Sequence, residues 1–156
     1  MKVFIDTNVI IDFLEKRANA EYAKELLKLS EDESQYECIS SASVTDMLYI
    51  VTKAMLAQNK LKPDDVRLTN ADVKASARNR LEKLLSLFHI LSVTETSIRK
   101  AFALKWKDTE DALQYVVAKE NGAECIITNN KSDFETTDIK LMTAQEFLSS
   151  LPRSEN

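Results

Sequence analysis

Two rhythms run along the chain: short unbroken apolar runs, and longer stretches with apolar residues at helical spacing. Val3, Phe4 and Ile5 make the first run, the mark of a strand covered on both faces, as in a parallel sheet. It stops at Asp6, and Thr7 and Asn8 open a helical segment from Val9 to Leu14. Ala20 to Leu29 (AEYAKELLKL) reads as an amphipathic helix, Glu31 to Glu37 as a polar turn, and Glu37 to Ser40 as a second strand. Ser41 to Ser43 supply helix caps, and Ser43 with Asp46 matches a weak capping box before an apolar run; that helix continues to about Gln58. Asn59 to Lys62 break the pattern, and Pro63 suits the first turn of another helical piece. Thr69 and Asp72 form a cap-like pair before a long helix, roughly Ala71 to Leu87. These middle helices read as an inserted hairpin covering one side of a sheet.

His89 to Val93 is the third predicted strand, followed by a helix from about Glu95 to Trp106. Asp108 to Asp111 initiate the helix Ala112 to Glu120, and Asn121-Gly122 ends it, which puts the only glycine where a left-handed helix terminus needs one. Ala123 to Thr128 is the fourth strand, Asn129 to Asp133 a polar turn, and Ile139 to Met142 a short last strand. Thr143 then caps a final helix ending near Leu151. Strands alternating with helices predict an α/β fold of three layers around a mainly parallel sheet of about five strands. Residues 1–151 read as one domain and 152–156 as a short tail.

Composition narrows the chemistry. With 156 residues, 44% hydrophobic and 29% charged, the chain suits one globular domain. One glycine and two prolines exclude Gly-rich phosphate loops. Cys38 and Cys125 lie far apart in apolar runs and read as small core residues in a reducing compartment. No stretch is apolar enough to span a bilayer, and Asp6, Asn8 and Asp12 interrupt any signal-peptide pattern, so a cytoplasmic location without membrane contact is expected.

The net charge of -4 is unevenly spread. Between Lys53 and Lys83 stand eight basic residues (Lys53, Lys60, Lys62, Arg67, Lys74, Arg78, Arg80, Lys83) against four acids (Asp64, Asp65, Asp72, Glu82). A second basic group, Arg99, Lys100, Lys105 and Lys107, runs into the acids at 108–111. Such charges suit either a solvated helix face or contacts to a phosphate backbone.

Singly, each acid has a structural explanation. Asp46 and Asp111 fall in first turns of helices, where carboxylates favour the dipole, and Asp133 suits a turn. Together, Asp6, Asp46, Asp111 and the Asn130/Asp133 turn all follow a strand's carboxyl end or open a helix on that side, and right-handed crossovers bring those ends to one edge. Clustered carboxylates repel one another and resist burial unless a divalent cation neutralises them. Mg²⁺ or Mn²⁺ suits such oxygen ligands. One histidine and two scattered cysteines exclude a tetrahedral zinc site. His89 reads as a core histidine, and Tyr49 and Trp106 as packing residues rather than base-stacking platforms.

The segments FIDTNVIIDFL, ISSASVTDMLYI, TEDALQYVVAKENGAECIITNNKSDF and MTAQEFL, in that order, resemble the PIN-domain ribonucleases, most closely their VapC-like toxin branch. The resemblance covers nearly the full length. It implies a Rossmann-like sheet and metal-dependent hydrolysis of RNA phosphodiester bonds with Mg²⁺ or Mn²⁺. It assigns Asp6, Asp46 and Asp111 as catalytic metal ligands, with Asp46 where the family often has Glu. Asp108 is an accessory candidate. At the fourth acidic position this chain has Asn130, with Asp133 the nearest carboxylate, so a second metal is in question. Thr7, Asn8, Thr128 and Asn129 orient ligands or phosphate in this reading, or serve as caps and turn formers. The resemblance further implies a small antitoxin covering the acidic pocket, and a homodimer. Two rivals differ in kind. A phosphoaspartyl phosphatase wants a second Asp at the place of Asn8; an inactive scaffold binding RNA or a partner needs no metal.

Overall fold

The computed structural model describes residues 1–30 and 36–152. The predicted polar turn falls largely outside them, as do residues 153–156 of the predicted tail. The five strands among the described residues are β1 (Lys2–Ile5), β2 (Tyr36–Ser40), β3 (His89–Leu91), β4 (Cys125–Ile127) and β5 (Lys140–Met142). They form one sheet in the order β3-β2-β1-β4-β5, every neighbouring pair parallel. The helices are α1 (Thr7–Leu14), α2 (Ala20–Leu29), α3 (Ser43–Lys60), α4 (Asn70–Leu85), α5 (Glu95–Leu104), α6 (Thr109–Glu120) and α7 (Ala144–Ser150).

Alternation along the strands splits the core in two. Val3, Ile5, Ile39 and Ile127 pack under α1, α2, α7 and the α3–α4 hairpin, while Phe4, Cys38 and Ile126 face α5 and α6. The three-layer expectation holds. β1 sits in the middle with its three apolar residues buried, as are those of β4 beside it.

Several ends follow the predicted logic. Thr69 accepts from the Asp72 backbone N–H, Thr143 and Glu146 form a full capping box, and Gly122 takes φ 69 just past α6. Others differ. Ser43 is not a cap: α3 starts after Ala42, and the Ser43 hydroxyl turns inward to hydrogen-bond Thr7. The helical piece expected at Pro63 is a single 3₁₀ turn, Asp64–Val66, with Pro63 just before it. α5 stops at Leu104, because Lys105 takes a left-handed φ of 55, so Trp106 lies beyond it. His89 is exposed, not a core residue; β3 is a three-residue edge strand, and the imidazole stacks on Tyr36 at 3.7 Å between ring centroids. Cys38 and Cys125 are free and buried, as expected. No helix among the described residues is long and apolar enough to cross a membrane.

Candidate active site at the carboxyl edge of the sheet

Because all strands run parallel, their carboxyl ends share one edge. β1 delivers Asp6 there, and β4 delivers Thr128, Asn129 and Asn130. α6 runs back towards the start of β4, so its first turn, with Asp108 as N-cap and Asp111 just inside, returns to that same edge. Asp108 accepts from the backbone N–H groups of Glu110 and Asp111, which fixes where α6 begins and therefore where Asp111 stands.

Asp6 is only 2% exposed. Burial pushes its carboxyl above the ordinary value, and hydrogen bonds from Thr128 and Gln114 pull part of the way back. Thr128 Oγ1 donates to Asp6 Oδ2 at 2.7 Å. Asp111 is half-buried and pushed up to about 7, first by burial and then by the negative charges of Asp6, Asp108, Asp133 and Glu110. Glu110 is raised as well, by burial first and then by Asp46, Asp108 and Asp6. The structure thus brings Asp6, Asp108, Glu110, Asp111 and Asp133 into one field. Asp46, exposed in the first turn of α3, joins it through Glu110. Asn130 and Asp133 are both exposed beyond β4.

The predicted orienting residues form a scaffold for Asp6. Asn8 Nδ2 reaches Thr128 Oγ1 at 3.5 Å, the Asn130 N–H donates to Thr128 Oγ1 at 3.0 Å, and the Asn129 N–H donates to Asn8 Oδ1 at 3.3 Å. The Thr7 N–H and hydroxyl both donate to Gln114 Oε1. Thr7, Asn8 and Thr128 therefore spend their hydrogen bonds locking β1, β4 and α6 together.

Four residues at this edge escaped the sequence reading. Gln114, fully buried, sits three residues after Asp111 as a lone amide in an apolar helix stretch, a signal that was available. Ser43 has the sequence signature of a cap but bonds Thr7, and Glu110 joins the acids beside Asp111 with no local signal to mark it. Asp12 is buried in α1, takes a hydrogen bond from Asn129 Nδ2 and pairs with Arg17 at 3.5 Å. Asp12→Ala is expected to strand the Asn129 amide and lower stability by about 1–3 kcal/mol, read from the urea midpoint.

The donor set is carboxylate, hydroxyl and amide oxygen, which suits a hard divalent cation. His89 and both cysteines lie in strands away from the tips. Among the described residues no three acids, histidines or cysteines converge as a ready-made cage. The fit is thus to a cation held by one or two carboxylates with water completing its shell, a common arrangement for Mg²⁺.

A family model described as "PIN domain" matches residues 2–132. The chain is 30% identical over 152 residues to "Ribonuclease VapC1" of Aquifex aeolicus, covering 94% of this chain and 92% of that protein. Among solved structures it resembles VapBC-1 from nontypeable Haemophilus influenzae, with TM-score 0.61 and 18% identity, over 93% of this chain and 99% of that one. It also resembles a toxin-antitoxin complex from Klebsiella pneumoniae, with TM-score 0.54 and 23% identity, over 91% and 97%. At these identities the two structural likenesses speak for the fold.

Proposed function

The chain belongs to the PIN-domain family, and on that footing we propose that it is a divalent-metal-dependent endoribonuclease, the toxin of a VapBC-type toxin–antitoxin pair. The observation that carries the reading is the pairing of buried Asp6 with Asp111, each carboxyl raised by burial. Two desolvated acids far apart in the chain destabilise the fold unless positive charge is brought to them. The relative named a ribonuclease supports the same activity.

Asp6 and Asp111 would hold Mg²⁺ or Mn²⁺ with water completing the shell, and Asp46, Asp133, Asn130 and Asp108 would meet that water from the same edge. When bound, the cation supplies a Lewis acid for the phosphoryl oxygen and lowers the pKa of a coordinated water. Asp6, fixed by Thr128, supplies an invariant carboxylate position. Asp111 stands towards solvent at the mouth and takes the proton of the attacking water. Asn8, itself held by the Asn129 N–H, and the Asn130 N–H keep the Thr128 hydroxyl in register with Asp6. Gln114 keeps α6 docked against the tip of β1.

The antitoxin covers the acidic edge, where a basic side chain meets the unneutralised carboxylates. A homodimer seam falls on α5, which turns Ile98 and Phe102 outwards, Phe102 being 67% exposed. Residues 1–151 act as one domain, and the free, buried cysteines suit the reducing cytoplasm.

Defined tRNA, rRNA and mRNA fragments incubated with Mg²⁺ or Mn²⁺ should be cut, with cleavage lost on adding EDTA or in Asp6→Asn. Cleavage that survives both treatments overturns the assignment. Asn130 in place of an acid favours the second reading, an inactive scaffold; that protein binds RNA or its partner equally well with and without EDTA and cuts nothing.

A further inference from the structure

Asp46, Tyr49, Lys53, Leu56 and Lys60 recur at intervals of three and four residues, so they form one stripe down α3. The stripe begins at the acidic edge with Asp46 and runs away from it. On the opposite side of the helix, Met47 and Val51 are buried. Tyr49 is 65% exposed, contrary to the packing role expected from sequence, whereas Trp106 is buried against Tyr115 and Phe134 as expected. The helical spacing that suggested packing for Tyr49 belongs to its neighbours.

Beside this stripe lies an open groove of about 690 Å³ between α3 and α4, lined by Leu48, Tyr49, Lys53, Leu56, Lys60 and Lys74 among others. Its charged lining is three lysines and no acid, on a chain of net charge -4. None of the three lysines forms a salt bridge among the described residues. The other grooves differ: those at Arg17, Arg99, Lys100 and Arg78 each mix their cations with a glutamate. Lys53 Nζ lies 5.9 Å from the centroid of the Tyr49 ring, so the aromatic face already has a cation beside it.

An exposed aromatic ring flanked by unpaired lysines, continuous with a carboxylate edge, has the chemistry of a single-stranded nucleic-acid track: bases stack on the ring and phosphates meet the ammonium groups. We propose that the α3–α4 groove binds single-stranded RNA, with Tyr49 stacking on an unpaired base and Lys53, Lys60 and Lys74 contacting phosphates on the strand leading to the acidic edge. The direction of the strand rests on the ribonuclease reading; the groove's affinity for RNA does not. A duplex keeps its bases stacked on one another and offers Tyr49 nothing to stack on, so the groove selects unpaired RNA.

The test is fluorescence anisotropy of a labelled single-stranded 12-mer on the full chain in EDTA, where binding is read without cleavage, with Mg²⁺-dependent cleavage measured in parallel. Tyr49→Ala should weaken binding roughly tenfold or more while Tyr49→Phe keeps it. Lys53→Ala, Lys60→Ala and Lys74→Ala should each weaken binding and reduce the slope of log affinity against log salt by about 0.7. The same sequence as a duplex should bind less tightly. Because Tyr49 and the lysines are exposed, unchanged thermal melts confirm that the variants remain folded. Equal affinity of Tyr49→Ala and Tyr49→Phe, or an unaltered salt slope, overturns the track, including the case in which the groove holds a protein partner instead. A wild type that cuts RNA while groove variants bind normally overturns the track alone. A wild type that cuts nothing but loses affinity on Tyr49→Ala overturns the ribonuclease reading and leaves the track standing.

Discussion

Asp111→Asn is expected to abolish RNA cleavage and, at the same time, to make the protein more stable at neutral pH. The carboxyl is pushed from 3.8 to about 7 by burial and by the acids around it. Between those two values the folded chain holds a proton that the unfolded chain releases, so unfolding free energy falls as pH rises through that window. Asparagine keeps the shape and removes the charge. With allowance for the solvent that reaches this half-buried group, the gain at pH 8 is about 1–2 kcal/mol, or roughly 2–6 °C in Tm. The gain should shrink to a small part of this near pH 4, where the folded carboxyl is neutral and the unfolded one only partly ionised. Cleavage should fall by about 10²-fold or more, the scale of losing a positioned proton acceptor. Melts at pH 4 and 8 beside a cleavage assay check both halves. An Asn variant that is active, or less stable than wild type at pH 8, would show that this carboxylate is structural.

The second large effect lies away from the candidate site. Glu37 is 2% exposed in β2, takes a hydrogen bond from the Ser30 hydroxyl on one oxygen, and has no partner among the described residues for Oε1. Burial pushes its carboxyl from 4.5 up to about 7, and the Ser30 bond offsets only part of this. The sign is that of a raised acid: native-state proton binding exceeds that of the unfolded chain between about pH 4.5 and 7, and stability declines across that interval as pH rises. At about 1.4 kcal/mol per pKa unit, ionised Glu37 costs roughly 3 kcal/mol at pH 8. Glu37→Gln mimics the protonated form, including its unpartnered atom, so it should match wild type near pH 4 and exceed it at pH 8. Urea unfolding at both values decides it; parallel curves for the two proteins would mean that the ionised carboxylate carries no such cost.

The strand–helix alternation was readable because both signals are local: an apolar triplet at Val3–Ile5, caps at Thr69, Asp108 and Thr143, and one glycine at the end of α6. Asp6 and Asp111 are legible as members of one edge, since in a parallel sheet strands end, and the helices leading back to the next strand begin, on the same side. What was missed depends on side-chain direction and on neighbours far along the chain. Ser43 has a capping residue's identity and position, yet Thr7 lies within its reach in the folded protein. His89 looks buried in an apolar strand, but its strand is an edge. Tyr49 sits among apolar residues and points the other way. Glu37 is expected at the junction of turn and strand, but nothing local reports that the strand will carry its carboxyl into the core.

The position of β1 at the centre of the sheet also governs the order in which the enzyme can come into being. Its partners on one side, β2 and then β3, leave the ribosome early, but β4, which brings Thr128 to within 2.7 Å of Asp6, is synthesised only after α6. Until then one side of β1 has no neighbour, and Asp6 lacks the Thr128 hydroxyl that fixes it. A nascent or truncated chain that lacks β4 and β5 is therefore expected to cut no RNA, closure of the sheet by β4 doubling as the step that arms the nuclease.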